Sequence, residues 1–502
     1  MSWKRVFAKD PVSHSMGVIG ILNIAQRVFG IARGILFARL LGPANLGVYA
    51  LTAFVLGVGI PVVSAGLASS YNRYVPRYEA NGSLRAYYNS ITSWSMWITT
   101  AFVAVALLFP RQVSSLLLAS PEHATVLRLT VLTLLPAVYH RNLTTFFKGL
   151  RVFRLSAILE FAQPVLLTVF AIAGFVWWQK TVEMAMWATL LSYVLPVAVC
   201  GWMTSRYLRD LTDQKPRVDE VQFARKIFRF SVWFVIIPTG LVTFDYVDRL
   251  MLAHLMKDAT TLGIYSQAFN TTALLLAVGY VPNGVLGPTL SAAWDRHDQP
   301  LVQRTFNLAL KVTLLLMLGA SLVLVLMKGW VLGFMYGHAY APGAVVLAPL
   351  LAFQCFDVMY SIAGMYSGLI EKTYVPGIAV AIGLALNVGL NLVMIPRFGM
   401  RGAAYAAMFS YGLVNVVLYL LNRHHGLRLT RRTLLVSALP LSLLLPPGVL
   451  VPLAAGVLVA IFRGTLLFET AEKDELLRAM RQVTTMLARR LGRDARAHAE
   501  AS

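Results

Sequence analysis

Long apolar runs separated by short polar stretches recur along the whole chain. They fall at 15–41, 45–69, 87–109, 123–147, 155–178 and 183–207. After the polar stretch RYLRDLTDQKPRVDEVQFARKIFR they resume at 227–256, 261–290, 305–330, 343–370, 374–396 and 401–422. A last stretch, about 433–468, is interrupted by Pro446, Pro447 and Gly448 and has room for two short spans. A helix of about 20 apolar residues crosses a bilayer. The pattern therefore predicts an all-α polytopic membrane protein with about fourteen transmembrane helices.

Composition agrees. Of 502 residues, 58% are hydrophobic and 13% charged, against roughly 45–50% and about 25% in soluble domains. Charge then supplies orientation. Of 44 Lys and Arg, seven lie within spans and six (Arg111, Lys180, Lys257, Lys328, Arg397, Arg401) fall in loops on one side. The remainder cluster on the other side, which the positive-inside rule makes cytoplasmic. The expected location is the cell (cytoplasmic) membrane, multi-pass, with both termini inside. The net charge of +22 follows from this topology and from attraction to anionic lipid, so no nucleic-acid partner is expected. The first residues, MSWKRVFAKDPVSHSMG, lack the short apolar core of a cleavable signal. Cys200 and Cys355 lie in apolar segments and read as core residues, and no metal-ligand spacing occurs. In the tail, Leu476, Met480, Val483, Leu487 and Leu491 form one stripe opposite an Arg-rich face, the pattern of a helix lying on a membrane surface.

The chain also repeats itself. A shift of 216 residues lays Arg33 on Arg249, Leu46-Gly47 on Leu262-Gly263, Tyr49 on Tyr265, and Glu79 on Asp295. A similar shift lays FFKGL, ending at Leu150, on MYSGL, ending at Leu369. The expected organisation is an N-terminal six-helix lobe (1–215), a second six-helix lobe (216–424), two further helices (425–468) and the basic amphipathic tail (469–502). Six is even, so both copies enter from the same side: they are parallel repeats, with a substrate site expected where they meet.

Four stretches carry a family resemblance: RVFGIARGILFARLLGPANLGVYAL, GLASSYNRYV, YVDRLMLAHLMKDATTLGIYSQAF and LNVGLNLVMIPRFGMRGAAYA. They resemble the polysaccharide transporter family, which includes the O-antigen and oligosaccharide-lipid flippases of the multidrug/oligosaccharidyl-lipid/polysaccharide superfamily. The resemblance implies a V-shaped, alternating-access bundle and a polyprenyl-(pyro)phosphate-linked oligosaccharide as cargo, moved to the outer leaflet for surface polysaccharide or glycan assembly. It also implies polysaccharide-assembly proteins as partners. QRVFGIARG is similar to the first-helix motif of the lipid II flippases, where the arginine matching Arg33 is a cavity residue. An acid usual in that family is replaced here by Gly34, which argues against lipid II itself.

Such a cargo needs cations for phosphate and hydrogen-bonding groups for sugar, because unsatisfied polar groups in hydrocarbon cost several kcal/mol each. In the first helix Asn23, Gln26, Arg27, Gly30 and Arg33 share an arc. In the seventh, Asp245, Asp248 and Arg249 share a face. Guanidinium suits phosphate, so Arg27, Arg33 and Arg249 are the candidate phosphate ligands, with Asn23, Gln26, Asp245 and Asp248 as polar lining. Arg33 and Arg249 also lie close enough to the outer surface to snorkel, and Asp245 is placed to neutralise Arg249. Arg39 points elsewhere and is expected to snorkel. Arg141 and Lys311 are expected at the cytoplasmic mouth, and Glu160 at the interface. Tyr71, Tyr74, Tyr246 and Tyr265 offer rings for sugar stacking or for an interfacial belt. Asp357, near the midplane of the tenth helix, needs a partner or a proton and is the candidate for ion coupling.

The main rival is a multidrug/cation antiporter, which would want carboxylates where the first helix has three arginines. A membrane-embedded glycosyltransferase or ligase would want a large outer loop with acids or histidines, and the outer loops here are short. No catalytic residue, metal or bound cofactor is expected. Membrane potential, H+ and Na+ all remain open as driving forces.

Overall fold

The computed structural model describes residues 7, 9, 12–211, 220–462, 467–469 and 472–473. Within its helices, the side chains of 12–21, 23, 24, 27, 220–226, 228–238, 285 and 462 lie outside that description. The side chains of Asn23 and Arg27, and the stripe expected over Leu476–Leu491, therefore fall outside the described residues.

Every regular element among the described residues is helical. α1 (Val12–Val63) contains the first two predicted runs, joined at Gly42 with φ 73° and ψ 169°. Glycine reaches that positive φ without a side-chain clash, and Pro43 follows, pre-set for the first turn of the next helical stretch. The chain continues through α2 (Ser69–Ala80), α3 (Leu84–Leu108), α4 (Pro110–Leu117), α5 (Ala124–Gly149), α6 (Phe153–Trp177), α7 (Val182–Arg209) and α8 (Glu220–Met256). Then come α9 (Ala259–Ala273), α10 (Leu276–Gly279), α11 (Asn283–Asp295), α12 (Gln299–Leu326) and α13 (Lys328–Tyr336). α14 (Leu347–Leu369), α15 (Tyr374–Phe398), α16 (Met400–His424), α17 (Arg431–Ala438) and α18 (Pro447–Phe462) complete it.

Eight helices among the described residues are long and apolar enough to cross a membrane, fewer than the fourteen spans expected. Two causes are visible. The first two runs form one kinked element. The run 261–290 is broken into α9, α10 and the start of α11 by turns at 274–275 and 280–282, the second containing Pro282, which has no N–H to donate. The last stretch divides as the Pro-Pro-Gly break suggests: α17, a 3-10 turn over Leu439–Leu444, then the 16-residue α18.

The helices gather into two compact units. One comprises Met1–Thr271, Lys328–Leu347 and Gly377–Ser410; the other comprises Thr272–Met327, Ala348–Pro376 and Tyr411–Ser502. In the first unit α5 is central, packed by α1, α2, α3, α6 and α7. Leu127, Val131, Leu134, Val138, Phe146 and Phe147 of α5 are all fully buried. At one end of α5 an aromatic cluster joins Tyr71, Tyr87, Tyr88 and Phe146, with Tyr71 and Tyr87 edge to face at 5.7 Å. The Tyr71 hydroxyl meets that of Thr92 at 2.8 Å. Burial of Tyr71, Tyr74 and Tyr265 removes them as sugar-stacking surfaces: aromatic area is more favourable inside a core than at a wet wall.

The outer surface is apolar. Trp97, Leu108, Val176, Trp177, Trp178 and Trp330 are more than half exposed, while Ser95, Thr99, Asn142, Asn387, Asn391 and Asn422 are fully buried. Polar groups inside and apolar groups outside suit a hydrocarbon solvent, and Trp177, Trp178 and Trp330 at helix ends suit its interface. This is a multi-pass membrane protein.

Candidate functional site

The first unit holds two adjoining polar cavities of ≈ 350 and ≈ 460 Å³, both open to the surroundings. Both are lined by His140, Lys148 and Glu160. Gln26 of α1 contributes to one; Asn72, Arg141, Thr144, Thr145 and Tyr193 contribute to the other. Helical spacing explains the shared wall: on α5, positions 137, 140, 141, 144, 145 and 148 recur every three or four residues and so face one way.

The charges in this chamber are unequal. Glu160 is neutralised by Lys148, whose Nζ lies 2.6 Å from its Oε1. Arg141 is half-buried on the same wall. Among the described residues, nothing pairs with its guanidinium. His140 is fixed by the Leu159 carbonyl, 3.1 Å from Nε2, and stands edge to face on Tyr193. One net cation, surrounded by amides and hydroxyls, faces the space.

Arg33 lines neither cavity. Its guanidinium acts electrostatically on the phenols of both Tyr193 and Tyr49, and its Nη1 is buried without a hydrogen-bond acceptor. Buried donors are normally paired, and a guanidinium nitrogen of this kind can donate to an anion. Its counterpart Arg249 is buried, with its guanidinium 4.6 Å from the Tyr246 ring and 4.3 Å from the Phe269 ring. The Arg249 Nε also lacks an acceptor. The two arginines differ in their neighbours. Asp248 precedes Arg249, whereas the matching position before Arg33 is Ala32. Asp248 accepts from Asn391 at 2.7 Å and from Tyr265 at 3.2 Å, and Asn391 also donates to Asn387 at 2.8 Å. Asp245 is half-buried one turn earlier on α8.

Arg39 does not reach for water alone. It donates to the Met335 and Phe334 carbonyls at 2.9 and 2.6 Å, capping the last turn of α13, where cations are favoured.

The second unit holds the remaining candidates. Asp357 on α14 accepts from the hydroxyls of Tyr280 and, at 2.7 Å, Tyr411. Among the described residues no Lys or Arg pairs with it. Lys311, expected at an open mouth, is instead buried on α12 and salt-bridged to Glu472 at 2.6 Å. Its partner lies 161 residues away, beyond the reach of local sequence patterns. His140, Lys148, Asn72 and Tyr193 were missed as lining because each reads as an ordinary interfacial residue; the i, i+4, i+8 spacing of His140, Thr144 and Lys148 was the available signal.

A helical membrane bundle with a cation-biased polar chamber is a transporter architecture. The chain belongs to the polysaccharide biosynthesis protein family, whose profile matches residues 12–294. It is 22% identical over 196 residues to the probable low-salt glycan biosynthesis flippase Agl15 of Haloferax volcanii. That match covers 39% of this chain and 41% of the relative, so the chain spans about two fifths of that relative's length. In fold it resembles the lipid II flippase MurJ in an inward closed conformation, with a TM-score of 0.69 at 16% identity over 88% of this chain and 98% of that one. It also resembles an inward-facing multidrug resistance MATE family transporter, with a TM-score of 0.64 at 16% identity over 80% and 94%.

Proposed function

We propose that the protein is a flippase carrying a polyprenyl-(pyro)phosphate-linked oligosaccharide from the cytoplasmic to the outer leaflet. The observation that carries this reading is the chamber's excess of cation. Arg141 is uncompensated, and the lining acid Glu160 is already held by Lys148; Arg33, outside the lining, adds a buried donor without an acceptor. Phosphate oxygens fit the guanidinium donors; the amides and hydroxyls of Gln26, Asn72, Thr144 and Thr145 fit sugar hydroxyls. A cation exporter would want the opposite balance. The family and the flippase names among the relatives point the same way.

In this reading the two six-helix repeats expose the chamber alternately to the two sides while the apolar chain stays in lipid. Arg27 and Arg249 complete the phosphate site with Arg33. Moving negative charge out of an inside-negative cell gains ~2.3 kcal/mol per charge per 100 mV. Asp357, caged by phenols, is the candidate for a coupled proton or Na+. Polysaccharide-assembly enzymes would supply and consume the cargo.

The test uses proteoliposomes containing a fluorescent polyprenyl-pyrophosphate oligosaccharide and a membrane-impermeant quencher. The native protein should move the lipid, and Arg33→Ala and Arg141→Ala variants of normal folding should not. Efflux of an organic cation without lipid movement would replace this reading by the antiporter one.

A further inference from the structure

His140 lines both cavities of the first unit, and its surroundings fix one of its two ring nitrogens. Nε2 lies 3.1 Å from the Leu159 carbonyl. A carbonyl oxygen only accepts, so Nε2 carries a proton whatever the charge of the ring. The ring plane is set as well, edge to face on Tyr193 with centroids 5.3 Å apart and an interplanar angle of 84°. Nδ1 is the nitrogen left over: among the described residues no hydrogen bond reaches it. In a neutral ring it is an acceptor; in a protonated ring it is a second N–H on a positive charge.

The neighbours decide what that second proton depends on. The charged and titratable groups around the ring are Arg141 and Lys148 on its own helix, Glu160 on α6 and Tyr193 on α7. α1 and α2 add only the amides of Gln26 and Asn72 to the lining, with Arg33 of α1 acting on Tyr193. Glu160 is taken by Lys148 at 2.6 Å, and Arg141 is a like charge next in sequence. Like charges oppose a further cation in the empty chamber, whereas an anion placed between them favours one. His140 is thus the one lining residue whose charge a bound phosphate can change near neutral pH.

We infer that His140 is a proton-operated ligand of the cargo phosphate. As the anion enters, Nδ1 takes a proton from cytoplasmic water, and the new N–H donates to a phosphate oxygen beside Arg141. This assignment rests on the flippase reading and specifies how its chamber selects anionic cargo. The chamber gains a charge only when it holds one, so the empty site is spared a third cation. Because the occupied state binds the extra proton, affinity rises as pH falls. A glycolipid without phosphate draws no proton and gains none of this affinity.

The test is titration calorimetry on the full-length protein in detergent. The charged probe is farnesyl-pyrophosphate-linked N-acetylglucosamine, whose two phosphates each keep a single, strongly acidic oxygen and stay ionised throughout. The uncharged probe is farnesyl N-acetylglucosaminide. Binding is measured at about pH 5.5 and about pH 8.5, either side of the ordinary histidine value of ~6.5. The native protein should bind the charged probe about tenfold more tightly at the lower pH, and buffers of different ionisation enthalpy should reveal net proton uptake on binding. The uncharged probe should bind without pH dependence. His140→Gln keeps an N–H for the Leu159 carbonyl but cannot become charged; it should show the weaker affinity at both pH values and no proton uptake. The proton count in the native protein needs no variant, so it holds whether or not His140→Gln folds. Native binding of the charged probe that is flat with pH and takes up no proton overturns the inference and leaves the flippase reading standing. A pH response that survives in folded His140→Gln also overturns it, because another group then carries the proton. Folded native protein that binds the charged probe at neither pH overturns both.

Discussion

Gly47 and Gly263 meet backbone to backbone, and the contact is reciprocal. A β-carbon added at Gly47 would lie 2.1 Å from the Ala259 carbonyl oxygen and 3.0 Å from the Gly263 nitrogen. One added at Gly263 would lie 1.9 Å from the Pro43 carbonyl oxygen and 3.0 Å from the Gly47 nitrogen. Ala259 is Pro43 shifted by 216 residues, the same shift that relates the two glycines. Contacts that exchange partners in this way fit a local twofold relation between the two segments that the 216-residue shift superposes. Backbone at this distance does not yield as a flexible side chain would. Gly47→Ala and Gly263→Ala should each destabilise the protein by about 1–3 kcal/mol, the usual range for overpacking. Thermal unfolding in detergent checks this, and the two variants should fall by similar amounts.

Arg33 and Arg141 should matter for cargo more than for folding, because no described partner is stranded by their loss. Each Arg→Ala change removes one charge-assisted hydrogen bond of ~1.5–3 kcal/mol. Transport of the phosphate-linked lipid should therefore fall about tenfold or more, with the melting temperature nearly unchanged. Arg→Lys keeps the charge but loses the two-pronged geometry, and should recover only part of the rate.

Asp357→Asn keeps an acceptor oxygen for one of the two phenols and offers its NH2 to the oxygen of the other, while removing the titratable group. It should fold normally and lose the response of transport to an imposed proton or sodium gradient. Asp357→Leu removes the carboxylate acceptor from both phenols and should cost about 1–3 kcal/mol. A gradient response that persists in Asp357→Asn would take this residue out of the coupling proposal.

Asp258 caps α9. It accepts from the Thr260 and Thr261 backbone N–H groups at 2.9 and 3.2 Å and from the Thr261 hydroxyl at 2.5 Å. These donors, the Thr261 hydroxyl foremost, hold its carboxyl below the usual range. Because the folded value is depressed, the cap's contribution is complete above the ordinary carboxylate value of ~3.9 and is lost as pH falls through the folded one. Hydrogen exchange of the Thr260 and Thr261 amides, referenced to Asp258→Asn, should show protection that disappears only in strong acid. Asp258→Ala should cost about 1 kcal/mol, as for other N-caps.

The helical class and the membrane solvent were legible because apolar run length is a local property. The break at Gly42-Pro43 was legible for the same reason. The interruption of 261–290 was not, because hydropathy averages over Gly279 and Pro282 as readily as over leucine. In the candidate site, Arg33 could be singled out because a charge in an apolar run is conspicuous, and Gln26 because it shares the helix face. The Lys148–Glu160 pair and the enclosure of Tyr265 by Asp248 depend on how helices pack. Lys311 shows the limit most clearly: its position suggested a mouth, and a partner 161 residues away determines its actual surroundings.

The tie between Arg39 and the Phe334 carbonyl spans 295 residues, and this has a consequence for biogenesis. Ribosomes add roughly 5–20 residues per second, so the first helix enters the bilayer tens of seconds before its guanidinium can find that carbonyl. Until then the arginine must be sheltered by water, lipid headgroups or the insertion machinery. A contact that is permanent in the finished protein is, during synthesis, a debt carried by whatever holds the nascent chain.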